Sequence, residues 1–326
     1  MTRLILSTSR NGTTADRSSS THHSNVMSAG GPAVIRKTAN GTRSNLELVN
    51  SLRENFVAAK LDYATHPPQT NGHATQPIPP TVDVWTETLP ADDAIFIPRV
   101  DWAGAGLRDD DASQYEITVK LFLLPGTPVR ERERYVRESL ALVTRELAID
   151  TIDLLVVSFP GMSFEGNCEW EADKLNAQQG NLDDELATWR VLEALHAQGV
   201  VRCLGVAEFG SEKLSAFIDR AAVAPAVDQI NLKDCCSVPP PLMKLARERG
   251  IELNVHRDCT DILPPGTLRQ LLGSHGAGVL ADNPANGGEG LKGEIVPQWV
   301  VRYTAFVRDR GVIENKGYFA GAELVN

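Results

Sequence analysis

The chain has 326 residues, with 32 Lys and Arg against 42 Asp and Glu, for a formal net charge of -10. This length suits one large α/β domain or two smaller ones, and the acidic balance argues against a general nucleic-acid surface. No apolar run reaches the roughly 20 residues of a membrane span, no secretory signal is evident, and the five cysteines lack metal-type spacing, so a reducing cytoplasm is the expected compartment.

Three units are expected. Residues 1–32 read as a disordered arm: positions 10–32 are rich in Ser, Thr, Gly and Asn and too poor in apolar side chains to offset the entropy of ordering. Residues 33–90 hold a helix from Ser44 to about Tyr63, with Leu46, Leu48, Val49, Leu52, Phe56 and Val57 as its apolar positions. A Pro-rich linker, His66–Pro80, follows it. Residues 91–326 form the third unit. From Tyr115 the pattern is regular: strand Tyr115–Leu124, then a helix with Val136, Leu140, Val143 and Leu147 at helical spacing. Ile152–Val157 is a near-continuous apolar run, as in a parallel strand covered on both faces. Leu182, Leu186, Trp189 and Leu192 mark a helix, Val201–Val206 a strand, and Leu214, Phe217, Ile218 and Ala221 a further helix. Strand Val227–Leu232, helix Pro240–Arg249 and strand Ile251–Val255 complete the repeat.

Repeated βα units of this length point to a parallel sheet, most economically a (β/α)8 barrel of TIM type. Eight strands require further ones from Ile95–Pro98 and from the C-terminal part. Gly276–Gly293 reads as a mobile Gly-rich loop, and Val296–Arg310 as a closing helix with Trp299, Arg302 and Tyr303 on one face packed against the barrel wall.

The segments IDTIDLLVVSFP, WRVLEALHAQGVVRCLGVAEF and AVDQINL resemble successive strands and helices of the aldo-keto reductases, over roughly Glu116 to Val255. Two further blocks, DQINLKDCC with its following prolines and WVVRYTAFVRDRGVIENKGYFAGAEL, resemble the regulatory (modifier) subunits of glutamate–cysteine ligase, relatives of the reductases that do not work as reductases. The resemblance implies an aldo-keto reductase-type barrel, with a catalytic subunit of the ligase as partner and a role in improving its use of glutamate and ATP and relieving feedback inhibition by glutathione.

The reductase residues are mostly missing. Carbonyl reduction by hydride transfer needs a proton donor beside the carbonyl oxygen. The reductases use a Tyr for it, lowered in pKa by a Lys that an Asp pairs, with a His orienting the substrate. Lys120 matches the lysine, Ser158 stands at the histidine position, and the motif carrying Asp and Tyr is not found. Asp101 and Tyr115 are present outside that context, and Tyr115 is the sole nearby donor candidate. Ala207–Glu208 replaces the Ser-Asn that holds the nicotinamide carboxamide, and Gln229 and His256 are remnants on the cofactor side. Lys316 resembles the phosphate-binding lysine motif only weakly, so no cofactor is implied and NADPH binding is disfavoured. The alternative function is an NADPH-dependent reductase with a rearranged site.

Each of these residues also has a plainer reading. Lys120 is accounted for as a remnant whose ammonium sits against an acid in the barrel mouth. His256, Arg257 and Asp258 fit a hydrogen-bonded structural cluster at a strand end. Cys235 and Cys236 fit two thiols shaping a turn; a disulfide between them would be strained, because adjacent Cα atoms lie about 3.8 Å apart. The alternative is a bond from one of them to a partner chain, and Cys235, Cys236, Pro239 and Pro240 are the candidate partner interface. Cys168, Cys203 and Cys259 read as ordinary thiols, His22 and His23 as arm residues without a metal, Trp189 as core, and Asp183–Asp184 as a solvated helix start that suits the helix dipole.

Overall fold

The computed structural model describes residues 2–9, 44–64, 78, 80–89, 94–107, 112–232, 237–258, 261–281 and 290–325. In chain order the elements are β1 (Thr2–Ser7), α1 (Ser44–Asp62), α2 (Val82–Trp85), β2 (Glu87–Leu89), β3 (Ala94–Ile97), β4 (Tyr115–Leu123), α3 (Val129–Leu147), β5 (Ile152–Ser158), α4 (Glu169–Asn176), α5 (Leu182–Ala197), β6 (Val201–Ala207), α6 (Ser211–Ile218), β7 (Val227–Asn231), α7 (Pro240–Arg249), β8 (Glu252–His256), α8 (Thr267–Leu272), β9 (Glu294–Val307) and β10 (Val312–Val325).

All ten strands share one sheet, ordered β2-β3-β1-β10-β9-β4-β5-β6-β7-β8. Strands β4 to β8 are parallel neighbours, with Lys120 opposite Val156, Val156 opposite Gly205, Ala207 opposite Gln229 and Asn231 opposite His256. β9 runs antiparallel to both β4 and β10, and β10 antiparallel to β1.

Alternation along the strands sends side chains to two cores. Leu121, Leu155, Leu204 and Val206 pack with Val136 and Leu140 of α3, Trp189 and Leu192 of α5, and Leu214 and Phe217 of α6. Trp189 is fully buried, donates through Nε1 to the Val223 carbonyl at 2.8 Å and meets Phe217 edge-on at 5.1 Å. On the opposite face Leu6, Ile97, Phe122, Val300 and Ala320 pack with Leu48, Leu52 and Phe56 of α1 and with Leu268, Leu271 and Leu272 of α8. Each such side chain fully buried contributes roughly 1.5–3 kcal/mol, which is how α1 is held.

Local chemistry sets the helix ends. The Asn181 side chain accepts from Asp184 N at 3.1 Å to cap α5, and Asp183 stays exposed and pairs with Arg220 at 2.7 Å. Pro240 opens α7 at a position where its missing N–H costs nothing, and Gly250 ends the helix at φ 68°.

The structure departs from the sequence-based expectations at three places. The sheet has ten strands in an open order rather than a closed eight-stranded barrel, with β2 and β8 outermost among the described residues. The physical reason lies in β9–β10: a parallel neighbour needs a long crossover, whereas a hairpin needs only a tight turn. The turn is made by Gly311, at φ 60°, donating to the Val307 carbonyl, and β9 then occupies the free edge of β4.

The same segment corrects the expected helix at Val296–Arg310, which is strand β9. Its Val, Ile, Tyr, Thr and Phe content suits a pleated surface, and Trp299 and Tyr303 lie on one face with Arg302 on the other. Thr2–Ser7, expected within the disordered arm 1–32, is strand β1, paired with a segment some 310 residues away. In the Gly-rich stretch, Gly276–Ala281 is held by hydrogen bonds such as Ala277 N to the Leu271 carbonyl at 2.7 Å. Positions 10–43, 65–77, 233–236, 259–260 and 282–289 lie outside the described residues, and with them His22, His23, Cys235, Cys236 and Cys259.

Candidate functional site: a self-paired polar cluster

A polar cluster stands where the C-terminal ends of the parallel strands meet β9 and β10. Lys120 on β4, Arg302 on β9 and Tyr318 on β10 occupy one register row across three strands. Lys120 Nζ donates to Asp258 Oδ2 at 2.8 Å, and both residues are buried. Arg302 grips the same carboxylate with two bonds, Nη1 to Oδ1 at 2.6 Å and Nη2 to Oδ2 at 3.1 Å. One carboxylate therefore serves two cations in a fork geometry that favours Arg.

Asp258 lies two residues beyond β8. Its amide donates to His256 Nδ1 at 3.0 Å, and its carbonyl accepts from Asn231 Nδ2 at 2.8 Å. Because Nδ1 accepts, the ring carries its proton on Nε2, and that nitrogen faces Glu208 Oε1 at 2.7 Å. Glu208 sits at φ 65°, a left-handed conformation that side chains rarely adopt. It is held there by its own amide donating to the Gln229 carbonyl (2.8 Å) and by Asn176 Nδ2 donating to its carbonyl (2.6 Å).

Burial alone would raise the Asp258 carboxyl, but Lys120 and Arg302 beside it more than offset this and hold it well below the usual carboxylate range. Burial lowers Lys120, and the Arg302 charge adds to that against the pull of Asp258. Tyr318 is pushed up, by burial first. Asp228, fully buried beneath the cluster, is raised well above the ordinary value by burial, with Glu208 adding to it; Oδ1 accepts from Phe209 N at 3.4 Å and Oδ2 has no hydrogen-bond partner.

The Aldo/keto reductase family model matches residues 100–257, a stretch that contains β4 to β8. The chain is 30% identical over 220 residues to a Schizosaccharomyces pombe protein named as a glutamate–cysteine ligase regulatory subunit, covering 64% of this chain and 72% of that one. The chain belongs to the glutamate–cysteine ligase regulatory subunit family. The human glutamate–cysteine ligase regulatory subunit is 24% identical over 217 residues, covering 67% of this chain and 69% of its own. An aldo-keto reductase (family 4 member C11) of Arabidopsis thaliana is 30% identical over 151 residues, covering 45% and 44%. Among solved structures, an aldo-keto reductase of Bombyx mori in complex with NADP is 21% identical, covers 41% of this chain and 40% of its own, and has a TM-score of 0.30. Over the stretch that the family model matches, the fold is of aldo-keto reductase type, α/β, and the sheet is open.

In this member of the regulatory subunit family, the residues singled out from sequence are distributed as follows. Lys120, Glu208 and His256 meet in the cluster, and Gln229 contributes its backbone carbonyl while its buried Oε1 has no hydrogen-bond partner. Ser158 ends β5, half-buried, opposite Phe122. Tyr115 lies at the other end of β4 from Lys120 and on the other face, where it is buried in the helix-side core. Asp101 accepts from Ala103 N at 3.0 Å in a separate turn. Lys316 pairs with Glu47 of α1. Pro239 is buried and Pro240 exposed at the start of α7, and Cys168 and Cys203 are exposed free thiols.

Arg302 and Tyr318 were assigned no place in this site from sequence, because the register of β9 and β10 against β4 joins residues some 180 positions apart. Asn176 and Asn231 gave no local signal, being polar residues whose partners are backbone atoms of other segments. Among the described residues no group of three or more His, Cys, Asp or Glu could hold a metal, and no helix is long and apolar enough to cross a membrane.

Proposed function

We propose that the chain is the non-catalytic regulatory subunit of a cytoplasmic glutamate–cysteine ligase, which it joins as a heterodimer. It would improve the catalytic subunit's use of glutamate and ATP and relieve inhibition by glutathione. The observation that carries this reading is the fork of Arg302 and Lys120 on Asp258. In a reductase the Asp-paired lysine acts on a tyrosine beside it; here Asp258 is shared between Lys120 and Arg302, and among the described residues no tyrosine bonds to Lys120. The tyrosine nearest the cluster, Tyr318, is raised rather than lowered, and Tyr115 faces the other way.

A nicotinamide cofactor fits these residues poorly. Its carboxamide would need donors at positions 207 and 208, where Ala207 offers no polar side chain and the Glu208 carboxylate already accepts from His256. Both ring nitrogens of His256 are engaged as well. Lys316, at the position of the phosphate motif, is paired with Glu47 of α1, and we propose that the chain works without NADPH.

Regulation without chemistry is a coupling free energy: a subunit that binds one state of the ligase better shifts its population toward that state. The test is the activity of the catalytic subunit with and without this chain, titrated against glutamate and glutathione. The expected result is a lower apparent KM for glutamate and weaker inhibition by glutathione. Unchanged kinetics with folded protein, together with quenching of NADPH fluorescence by this chain alone, would overturn the reading in favour of a rearranged reductase.

A further inference from the structure

We infer that the outer face of α4, anchored by Trp170, is a docking surface for the catalytic subunit, which presents to it an apolar pocket rimmed by Lys and Arg. The inference rests on the regulatory reading above. The chain has five tryptophans. Trp85, Trp189 and Trp299 are fully buried and Trp102 is partly buried, whereas Trp170 is 57% exposed. Leu175, 47% exposed, lies on the same solvent-facing half of the helix. Single exposed apolar residues are ordinary, so exposure alone does not carry the point.

Three features add to it. The first is rigidity. The buried half of α4 is tied down by side-chain caps: Asp173 accepts from Ser211 N and Ser211 Oγ, both at 2.6 Å, while Asn176 accepts from Gly210 N at 2.6 Å and donates to the carbonyls of Ser163 and Glu208. The outer half is thereby presented by a fixed helix, which lowers the ordering cost of binding. The second is position. α4 lies in the connection after β5, at the C-terminal end of the parallel strands, where α/β folds of this kind place their functional loops. Through Asn176 it touches the left-handed residue Glu208, so a force on α4 reaches the polar cluster within one hydrogen bond.

The third feature is charge. Beside Trp170 stand the exposed Glu165 and the half-buried Glu169 and Glu171, the last accepting from Asn167 N at 2.9 Å, against the exposed Lys174, so this stretch is acidic around an aromatic anchor. Aromatic anchors dominate binding where a pocket desolvates them, and rim charges select the partner and speed its approach. A basic-rimmed apolar pocket is the complement.

The experiment measures binding of the full-length chain to the intact catalytic subunit by calorimetry, for the wild type and for Trp170→Ala, Trp170→Phe and Leu61→Ala. Leu61, 61% exposed on α1, is the control for loss of an exposed apolar side chain elsewhere. Expected are a Kd weakened roughly 10- to 100-fold for Trp170→Ala with an unchanged melting temperature, partial recovery in Trp170→Phe, and wild-type affinity in Leu61→Ala. Glu169→Lys with Glu171→Lys should weaken binding further and flatten its dependence on salt. A Kd for Trp170→Ala within about twofold of the wild type, beside a wild type that binds and activates, overturns this surface and leaves the regulatory reading intact. A wild-type chain that does not bind at all overturns both.

Discussion

The two halves of the sheet are built on different logic. From β4 to β8 the strands are parallel, their neighbours are successive in sequence, and helices α3, α5, α6 and α7 cover the outer face. From β2 to β9 the strands come from both ends of the chain, joined where β1 pairs with β10, most pairs are antiparallel, and the face that a barrel would turn inward is covered by α1 and α8. The parallel half keeps the frame of a reductase. The antiparallel half supplies Arg302 and Tyr318, which stand in one register row with Lys120 of that frame, and so the part of the chain that departs from the barrel is the part that surrounds the lysine.

Asp258 is where the halves are tied together, between Lys120 of the parallel half and Arg302 of the antiparallel half. The largest effect is therefore expected at this residue. Asp258→Asn leaves the buried Lys120 and the half-buried Arg302 without the carboxylate they share and should cost about 3–5 kcal/mol, read by urea unfolding. The pH dependence follows from the depressed carboxyl. Its stabilisation is complete above the unfolded-state value of about 3.9 and is lost as pH falls through the lower folded-state value. Wild type should thus lose stability steeply below about pH 4, and Asp258→Asn should lack that component. A loss under about 1 kcal/mol at neutral pH, compared with the 3–5 expected of a broken buried pair, would mean that the fork does not join the halves.

Smaller, and confined to the antiparallel half, is the effect expected at Leu52. Its side chain is fully buried where α1 meets the sheet, and Leu52→Ala should cost about 2–4 kcal/mol by transfer and cavity terms. The comparison predicts that this loss moves the single global transition. If the global midpoint stays fixed while limited proteolysis within α1 accelerates, α1 is a separately opening unit, and the two halves differ in cooperativity as well as in connectivity.

What could be read from the residues follows the same division. The parallel strands announce themselves by local apolar runs bounded by amphipathic helices, and β4 to β8 lie within a residue or two of where the sequence places them. The antiparallel half depends on pairings that no local window contains. Thr2–Ser7 offers only the short apolar run Leu4–Leu6 until β10 lies beside it. Val296–Arg310 carries both a strand-like and a helix-like reading, since Trp299, Arg302 and Tyr303 satisfy an i, i+3, i+4 spacing while Trp299, Val301 and Tyr303 satisfy alternation. Composition rich in β-branched and aromatic residues favours the strand, and tertiary pairing decides it. At the site, Lys120, Glu208, Gln229 and His256 are placed by local motifs; Arg302 and Asn176 are placed only by the fold.

The smallest effect is expected deep in the parallel half, at Asp228. Its carboxyl is fully buried, with Phe209 N at 3.4 Å from Oδ1 and Oδ2 without a hydrogen-bond partner. Burial raises it well above its ordinary value, and the nearby Glu208 charge adds to the shift. A group raised in the folded state contributes its stabilisation fully below the unfolded-state value of about 3.9, and that contribution is lost as pH rises through the folded-state value. Asp228→Asn keeps the acceptor for Phe209 and cannot ionise. It should be within about 1 kcal/mol of wild type near pH 4, as for other substitutions that preserve shape and hydrogen bonding, and should gain on wild type as pH rises. Unfolding of both proteins followed across that range checks this. A mutant that instead falls further below wild type with rising pH would show that Asp228 is ionised and paired in the folded chain, and the parallel half would then contain a second charged clasp in place of a neutral, buried acid.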